Sequence, residues 1–149
     1  MISQKAKYAF RALIALAKNA HPGEVLLISE IAEQQRIPRK FLEQILLDLK
    51  HHGIVTSRRG KAGGYLLLKD PSEITFGEVL RTIDGPIAPL PCLSRMAYRR
   101  CIDCQEEEAC EIRRVFARVA EATRAVLDRT TIADCIGQPM EGEVRALLA

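Results

Sequence analysis

With 149 residues, 48% hydrophobic and 28% charged, the chain has the make-up of one globular domain, or of a small domain with a docking element, and not of a disordered tail. A membrane span is not expected, because the apolar run Ala12 to Ala17 stops at Lys18 and a span needs roughly 20 residues. The net charge of +3 hides a split: residues 1–69 carry 12 Lys/Arg against 5 Asp/Glu, a net +7, and residues 70–149 carry 10 against 14, a net −4.

In chain order, Ser3 to Ala20 reads as an amphipathic helix, with Ala6, Ala9, Phe10, Leu13, Ile14, Leu16 and Ala17 recurring at three- and four-residue steps. His21-Pro22-Gly23 ends it. Ser29 is the expected N-cap of a short second helix, Glu30 to Gln35, and Arg36-Ile37 the turn after it. A third helix runs from about Pro38, at the first helical position, to His52, with Leu42, Ile45, Leu46 and Leu49 as its apolar stripe and Gly53 as its stop. Two short helices joined by a tight turn make a helix-turn-helix. The runs Ile54–Arg59 and Tyr65–Leu68, joined by Gly60-Lys61-Ala62-Gly63-Gly64, read as a β-hairpin, which in this position is the wing of a winged helix.

Thr75-Phe76-Gly77-Glu78 has capping-box spacing and opens a short helix that buries Val79, Leu80 and Ile83 and stops at Asp84-Gly85-Pro86. Residues 86–110 form a long loop with three prolines and four cysteines, and an ordered loop of this length usually has a task. From Glu111 to Thr130 a clean helix follows, its stripe running through Ile112, Val115, Phe116, Val119, Ala122, Thr123, Val126 and Leu127. Twenty residues span about 30 Å, more than a small winged helix needs to cover its own core, so this stripe is expected to pair with a second copy. The expected organisation is mainly α with a small β wing: a winged helix-turn-helix domain over 1–85, a cysteine-rich sensor loop over 86–110, a dimerisation helix over 111–130 and a tail over 131–149 with a last helix near Glu143.

The basic half points to a polyanion partner. Arg39 and Lys40, near the start of the third helix, suit phosphates or guanine edges, and Gln44 suits adenine. Glu43 either accepts from cytosine or pairs with Arg39 one turn back. Arg58, Arg59 and Lys61 at the wing tip suit a minor groove, and the glycines there permit close approach to a backbone.

A cytoplasmic location is expected, since Lys5, Lys7 and Arg11 interrupt the N-terminal apolar stretch and leave no secretory signal. Cysteines in that compartment are reduced, metal-bound or redox-active. Cys92, Cys101, Cys104 and Cys110 fall within 19 residues, while Cys135 stands apart and reads as a small core residue. Soft thiolates concentrated on one loop suggest an iron–sulfur cluster or zinc, and the spacing alone does not separate them. Thiol chemistry without metal is the third option, with Arg99, Arg100 and Arg113 near enough to favour a thiolate. The run Glu106-Glu107-Glu108, with Glu111, suits the start of the long helix, or supplies a metal ligand. His51 and His52 are expected to interact with the end of the third helix.

At these residues the chain resembles the family of winged-helix regulators that includes the iron–sulfur cluster regulator IscR, the nitric-oxide sensor NsrR and the cysteine-metabolism regulator CymR. The resemblance covers roughly residues 1–135: Lys7-Tyr8-Ala9, Phe41-Leu42-Glu43-Gln44-Ile45-Leu46, Val55-Thr56-Ser57-Arg58-Arg59-Gly60, Gly63-Gly64-Tyr65-Leu66-Leu67, Gly77-Glu78-Val79, and Cys92 with the cysteines before the long helix. It implies a homodimer on a near-palindromic operator in double-stranded DNA, with Glu43 and Arg59 at DNA-reading positions. It also implies that Cys92, Cys104 and Cys110 occupy the three ligand positions of the cluster-binding members, on a longer loop in which Cys101 is extra. Where the IscR branch has a histidine three residues after the last cysteine, this chain has Arg113, which cannot ligate. Tyr8 stands where the NsrR branch has an acidic residue, and Cys101 would complete an all-cysteine set.

The expectation is therefore a DNA-binding transcription regulator controlled by an iron–sulfur cluster, 2Fe–2S ahead of zinc, on Cys92, Cys101, Cys104 and Cys110. A metal-free thiol regulator of the same fold is the alternative. A metal-bearing protein-interaction or electron-transfer module is the rival of another class, and the charge split opposes it. No enzymatic constellation is present in the sequence.

Overall fold

The computed structural model describes residues 2–19, 21 and 23–137. The expected helix near Glu143 and the rest of the tail from 138 lie outside the described residues, as do Ala20 and Pro22 at the expected end of the first helix. The elements are α1 (Gln4–Lys18), α2 (Ile28–Gln35), α3 (Arg39–His51), β1 (Val55–Arg58), β2 (Gly64–Leu67), α4 (Phe76–Asp84), α5 (Glu111–Leu127) and α6 (Ile132–Gly137), with single 3-10 turns at Pro71–Glu73 and Pro91–Leu93.

The N-terminal half closes around one core. Leu13 from α1, Ile31 from α2, Leu42, Ile45, Leu46 and Leu49 from α3, and Val79 from α4 are all fully buried. Each such side chain contributes about 1.5–3 kcal/mol by leaving water. Phe10 stacks on Phe76 with ring centroids 4.3 Å apart, which docks α4 on α1. Ser3 caps α1 by accepting from the Ala6 N–H at 3.0 Å, and Thr75 caps α4 by accepting from Glu78 N–H at 3.1 Å.

Two helix starts differ from expectation. Helix α2 begins at Ile28 with Leu27, not Ser29, as its N-cap, because the Glu30 carboxylate reaches back to the Leu27 N–H at 2.7 Å and satisfies that donor. Pro38 is the N-cap of α3 and not its first helical residue; its fixed φ of −57° is combined with an extended ψ of 126°. The turn between them places Arg36 in the left-handed region at φ 51°, a conformation uncommon outside glycine and asparagine.

The hairpin pairs Val55 with Leu67 and Arg58 with Gly64 in antiparallel register. Tyr65 also exchanges both backbone bonds with Leu26, at 2.8 and 2.9 Å, so the segment before α2 acts as a third strand at the base of the wing. This explains Gly64, and the backbone of the hairpin turn itself explains Gly63. A Cβ on Gly64 would lie 2.5 Å from the Leu26 carbonyl oxygen, and one on Gly63 would lie 2.6 Å from that of Arg58. The wing's own close packing, which the expectation of a DNA approach did not include, therefore already requires glycine at both positions.

The C-terminal half is built differently. Helix α5 ends at Leu127, three residues short of the expected Thr130, and Ala120 is its one fully buried residue. Its apolar side chains Ile112, Val115, Phe116, Val119 and Val126 are exposed, between 39 and 64%. The segment after it, to which the sequence assigned no element before Glu143, returns to the core: Phe76 N–H donates to Thr130 O, Ile132 N–H donates to Ile74 O, and Ile132, the first residue of α6, is fully buried. Among the described residues no helix is long and apolar enough to cross a membrane.

Candidate nucleic-acid interface and thiolate cavity

The four apolar residues of α3 are buried, so geometry alone forces Arg39, Lys40, Glu43 and Gln44 to the opposite, exposed face. Arg39 Nε donates to Glu43 Oε1 at 3.3 Å, with both side chains more than half exposed. Glu43 is thus paired within its own helix, the second of its two expected readings. Gln44 Nε2 donates to Asp48 Oδ1 at 3.1 Å, and Asp48 Oδ2 accepts from Lys5 Nζ at 2.7 Å. The Lys5 ammonium and the Gln44 amide hold the Asp48 carboxyl below the ordinary carboxylate value of 3.8. His52 Nδ1 lies 2.9 Å from the Asp48 carbonyl oxygen, at the end of α3 as expected.

The wing cations divide. Arg58 turns back to donate from Nη1 to the Gly23 carbonyl at 2.9 Å, so it fastens the wing to the segment before α2. Arg59 and Lys61 are exposed and carry no ion pair among the described residues. One link was missed by sequence reasoning: Lys50 Nζ donates to Ser57 Oγ at 2.7 Å and joins α3 to β1. Residues seven apart across a helix end and a turn have no linear signature.

All four clustered cysteines line a single open cavity of about 790 Å³. Cys92 is buried in the Pro91–Leu93 turn, which is held in place by Arg99 N–H donating to Pro91 O at 3.2 Å. Cys101 and Cys104 bracket a tight turn closed by Cys104 N–H on Cys101 O at 3.2 Å. The Arg100 guanidinium clasps that turn from outside, donating to the carbonyls of Cys104 at 3.2 Å and Gln105 at 2.7 Å. Cys110 is the N-cap of α5, its Sγ accepting from Arg113 N–H at 3.4 Å. A helix N-terminus favours negative charge on the capping atom.

Arg113 lines the same cavity, and its buried Nε, like that of Arg124 outside the cavity, has no hydrogen-bond partner among the described residues. Its Nη2 lies 3.9 Å from Glu107, and Glu107 accepts from the Tyr98 hydroxyl. Glu107 is therefore occupied by its own loop, while Glu106 borders the cavity. Partial burial and then its neighbour Cys92 push the Cys101 thiol up. Cys135 sits half-buried on α6 and does not line the cavity, and burial pushes its thiol up as well. Among the described residues no three Cys, His, Asp or Glu side chains converge closely enough to hold a single metal ion.

The sequence matches the profile of the Rrf2 family, described as iron-dependent transcriptional regulators, over residues 2–138. It is 51% identical, over 91% of this chain and 92% of the relative, to an rrf2-like helix-turn-helix transcriptional regulator of Rhodobacter capsulatus. The structure of CymR, the global cysteine regulator of Bacillus subtilis, superposes with a TM-score of 0.75 at 32% identity, covering 91% of this chain and 95% of that one. That of T. potens IscR gives 0.69 at 27%, covering 91 and 85%.

Proposed function

The chain belongs to the Rrf2 family of transcriptional regulators, and from that premise we propose that it is a regulator whose grip on an operator is set by a 2Fe–2S centre on Cys92, Cys101, Cys104 and Cys110. Members of the family regulate transcription and are not enzymes, and they bind DNA as dimers. The observation that carries the finer reading is that the four clustered thiols line one cavity. Four cysteines are the ligand number that such a cluster takes. When bound, such a centre supplies bonds that oxidants and iron loss can break.

The coupling resides in α5. At about 1.5 Å per residue, its 17 residues are about 25 Å long. Its first turn carries Cys110 and Arg113. Its last turn meets the reading head, where Arg81 Nη2 donates to both oxygens of Asp128 at 2.6 and 2.9 Å. The exposed apolar stripe between these ends suits a second copy. A change at the thiols therefore acts on the same rigid element that sets the spacing of two heads, and it acts to the extent that the two arrangements differ in stability. In this reading Arg39, Lys40, Glu43 and Gln44 face the major groove of a near-palindromic site. Arg59 and Lys61 reach the minor groove, Arg58 supports them from behind, and the protein works in the cytoplasm.

A second reading, thiol regulation without metal, is favoured by the nearness of the Cys101 thiol to that of Cys92, its neighbour in the same cavity. The two readings separate in one experiment. Anaerobically purified protein, iron–sulfur loaded or stripped with a chelator, is titrated against a selected operator by fluorescence anisotropy, alongside Cys110→Ala. The cluster reading predicts different affinities for the loaded and stripped forms, and a Cys110→Ala dimer locked in the stripped behaviour. Equal affinities, with a response to peroxide alone, would establish the thiol reading instead.

A further inference from the structure

The turn between α2 and α3 holds a backbone conformation that its own residue disfavours. Arg36 stands there at φ 51° and ψ 49°, in the left-handed region, and it is the one non-glycine residue with a positive φ among the described residues. A side chain other than that of asparagine or aspartate is strained in this region, because its Cβ crowds the carbonyl that follows. The fold requires the conformation: Arg36 N–H donates to Glu33 O at 3.3 Å and Ile37 N–H to Ala32 O at 2.9 Å, which closes α2, and the chain turns so that Ile37 is buried. Glycine would serve this turn with less strain, so the arginine is held there for its side chain. Inside the protein that side chain has no ionic partner. It is exposed, and it makes no ion pair among the described residues, Glu33 one turn back included. A cation near the carboxyl end of α2 is favoured by the helix dipole, but the exposed position of Gln34, within the helix, would carry one there without the strain.

The place of the turn in the fold points to an external partner. In a helix-turn-helix the first helix crosses the DNA backbone while the second enters the major groove by its N-terminal residues, so the turn between them lies over the phosphates at the groove edge. Arg36 stands on that turn, two residues before Pro38, the N-cap of α3, with Arg39 and Lys40 exposed on the first turn of the helix. We propose that Arg36 is a phosphate-binding residue of the DNA interface, its guanidinium meeting a backbone phosphate at the edge of the major groove. This rests on the reading of α3 as the groove-entering helix and extends the contact surface to the turn before it. The planar fork of arginine suits two oxygens of one phosphate. A backbone contact of this kind adds grip and fixes register, and it leaves the choice of sequence to α3.

The test compares the anaerobically purified full-length wild type with Arg36→Gly, Arg36→Asn and Lys40→Ala. Each is titrated by fluorescence anisotropy against a selected operator and against an unrelated duplex of equal length, over a series of salt concentrations. Thermal unfolding is followed by circular dichroism. In Arg36→Gly, binding to both duplexes should weaken by at least about eightfold at 0.1 M salt, and the salt slope should fall by about one for each chain. Its melting temperature should rise by a few degrees, ~2–8 °C, because glycine relieves the turn. Arg36→Asn tolerates the same backbone and should lose binding alike, so it carries the test if the glycine variant does not fold. A merely structural arginine would move the two quantities together, weaker binding with a lower melting temperature, and a melting temperature that falls in Arg36→Gly would overturn the inference. Unchanged slopes in both Arg36 variants beside a reduced slope in Lys40→Ala would overturn it too and leave the reading of α3 standing. Unchanged slopes in all three variants would overturn the reading of α3 as well.

Discussion

The reading head and the sensing half of this protein meet different physical standards. In the head, α1 to α4 and the wing close on a core whose principal leucines and isoleucines are shielded from water. In the sensing half, a loop with one 3-10 turn leads into a helix whose apolar stripe faces outward and whose fully buried contact is a single alanine. The head is complete within one chain. The proposed function completes the other half with a second copy along α5 and an occupant among the thiols. A regulator needs this division, because a switch has to be drawn from the part of the fold held least firmly.

The comparison is broken most severely by truncating each half at one apolar residue. Leu46→Ala, in the head, should cost about 2–5 kcal/mol in denaturant unfolding, the range for a buried leucine that leaves a cavity. Val115→Ala, at a position 60% exposed, should cost the subunit itself less than about 1 kcal/mol. Similar losses would mean that the two halves share one core. A charge placed on the stripe, Val119→Glu, should shift the dimer to monomer in sedimentation while leaving the unfolding of the head unchanged; a stable dimer would show that α5 is not the seam.

The wing sharpens the same contrast on a smaller scale. Gly64→Ala should destabilise by more than about 1 kcal/mol, since its φ of 154° and the Leu26 carbonyl both oppose a Cβ. Arg59→Ala should weaken operator binding and lower the salt slope by about one. Arg58→Ala should change stability more than that slope, because its guanidinium is engaged with Gly23. Identical salt slopes for the two variants would put both arginines on the phosphates.

The smallest effect expected concerns Asp48. Lys5 holds its carboxyl below the ordinary value, so the stabilisation is fully present above about pH 4 and is lost as the pH falls through the lowered value. Asp48→Asn should therefore cost up to about 1 kcal/mol near neutrality and less in acid, a partly exposed pair being worth no more. A gap that widens on acidification would reverse the sign of this linkage.

How much of this could be read from the chain follows the same boundary. The buried face of α3 was legible because four apolar residues at helical spacing leave one way to fold, and the wing because two short strands flank a glycine-rich turn. The cap of α2 was misplaced because a glutamate reaching back three residues can replace the serine's role. Arg58 and Arg59 are indistinguishable as letters. What separates them is a carbonyl at Gly23, 35 positions away. Helix α6 escaped notice because six residues with one buried isoleucine carry no periodicity, and its partner α1 lies at the other end of the chain. In the sensing half the cysteines were visible as a cluster, but the clasp of Arg100 and the unpaired Nε of Arg113 depend on loop geometry that no spacing encodes.

The central claim is that the four loop thiols jointly hold one two-iron centre. Its most direct test is the iron and acid-labile sulfide content of the anaerobically purified chain, set beside single alanine variants of Cys92, Cys101, Cys104 and Cys110. The account predicts about two of each per wild-type chain, as a 2Fe–2S centre requires, and a sharp loss in all four variants. Wild-type protein that stays free of iron and sulfide when both are supplied, or a Cys101→Ala protein as fully loaded as the wild type, would contradict it.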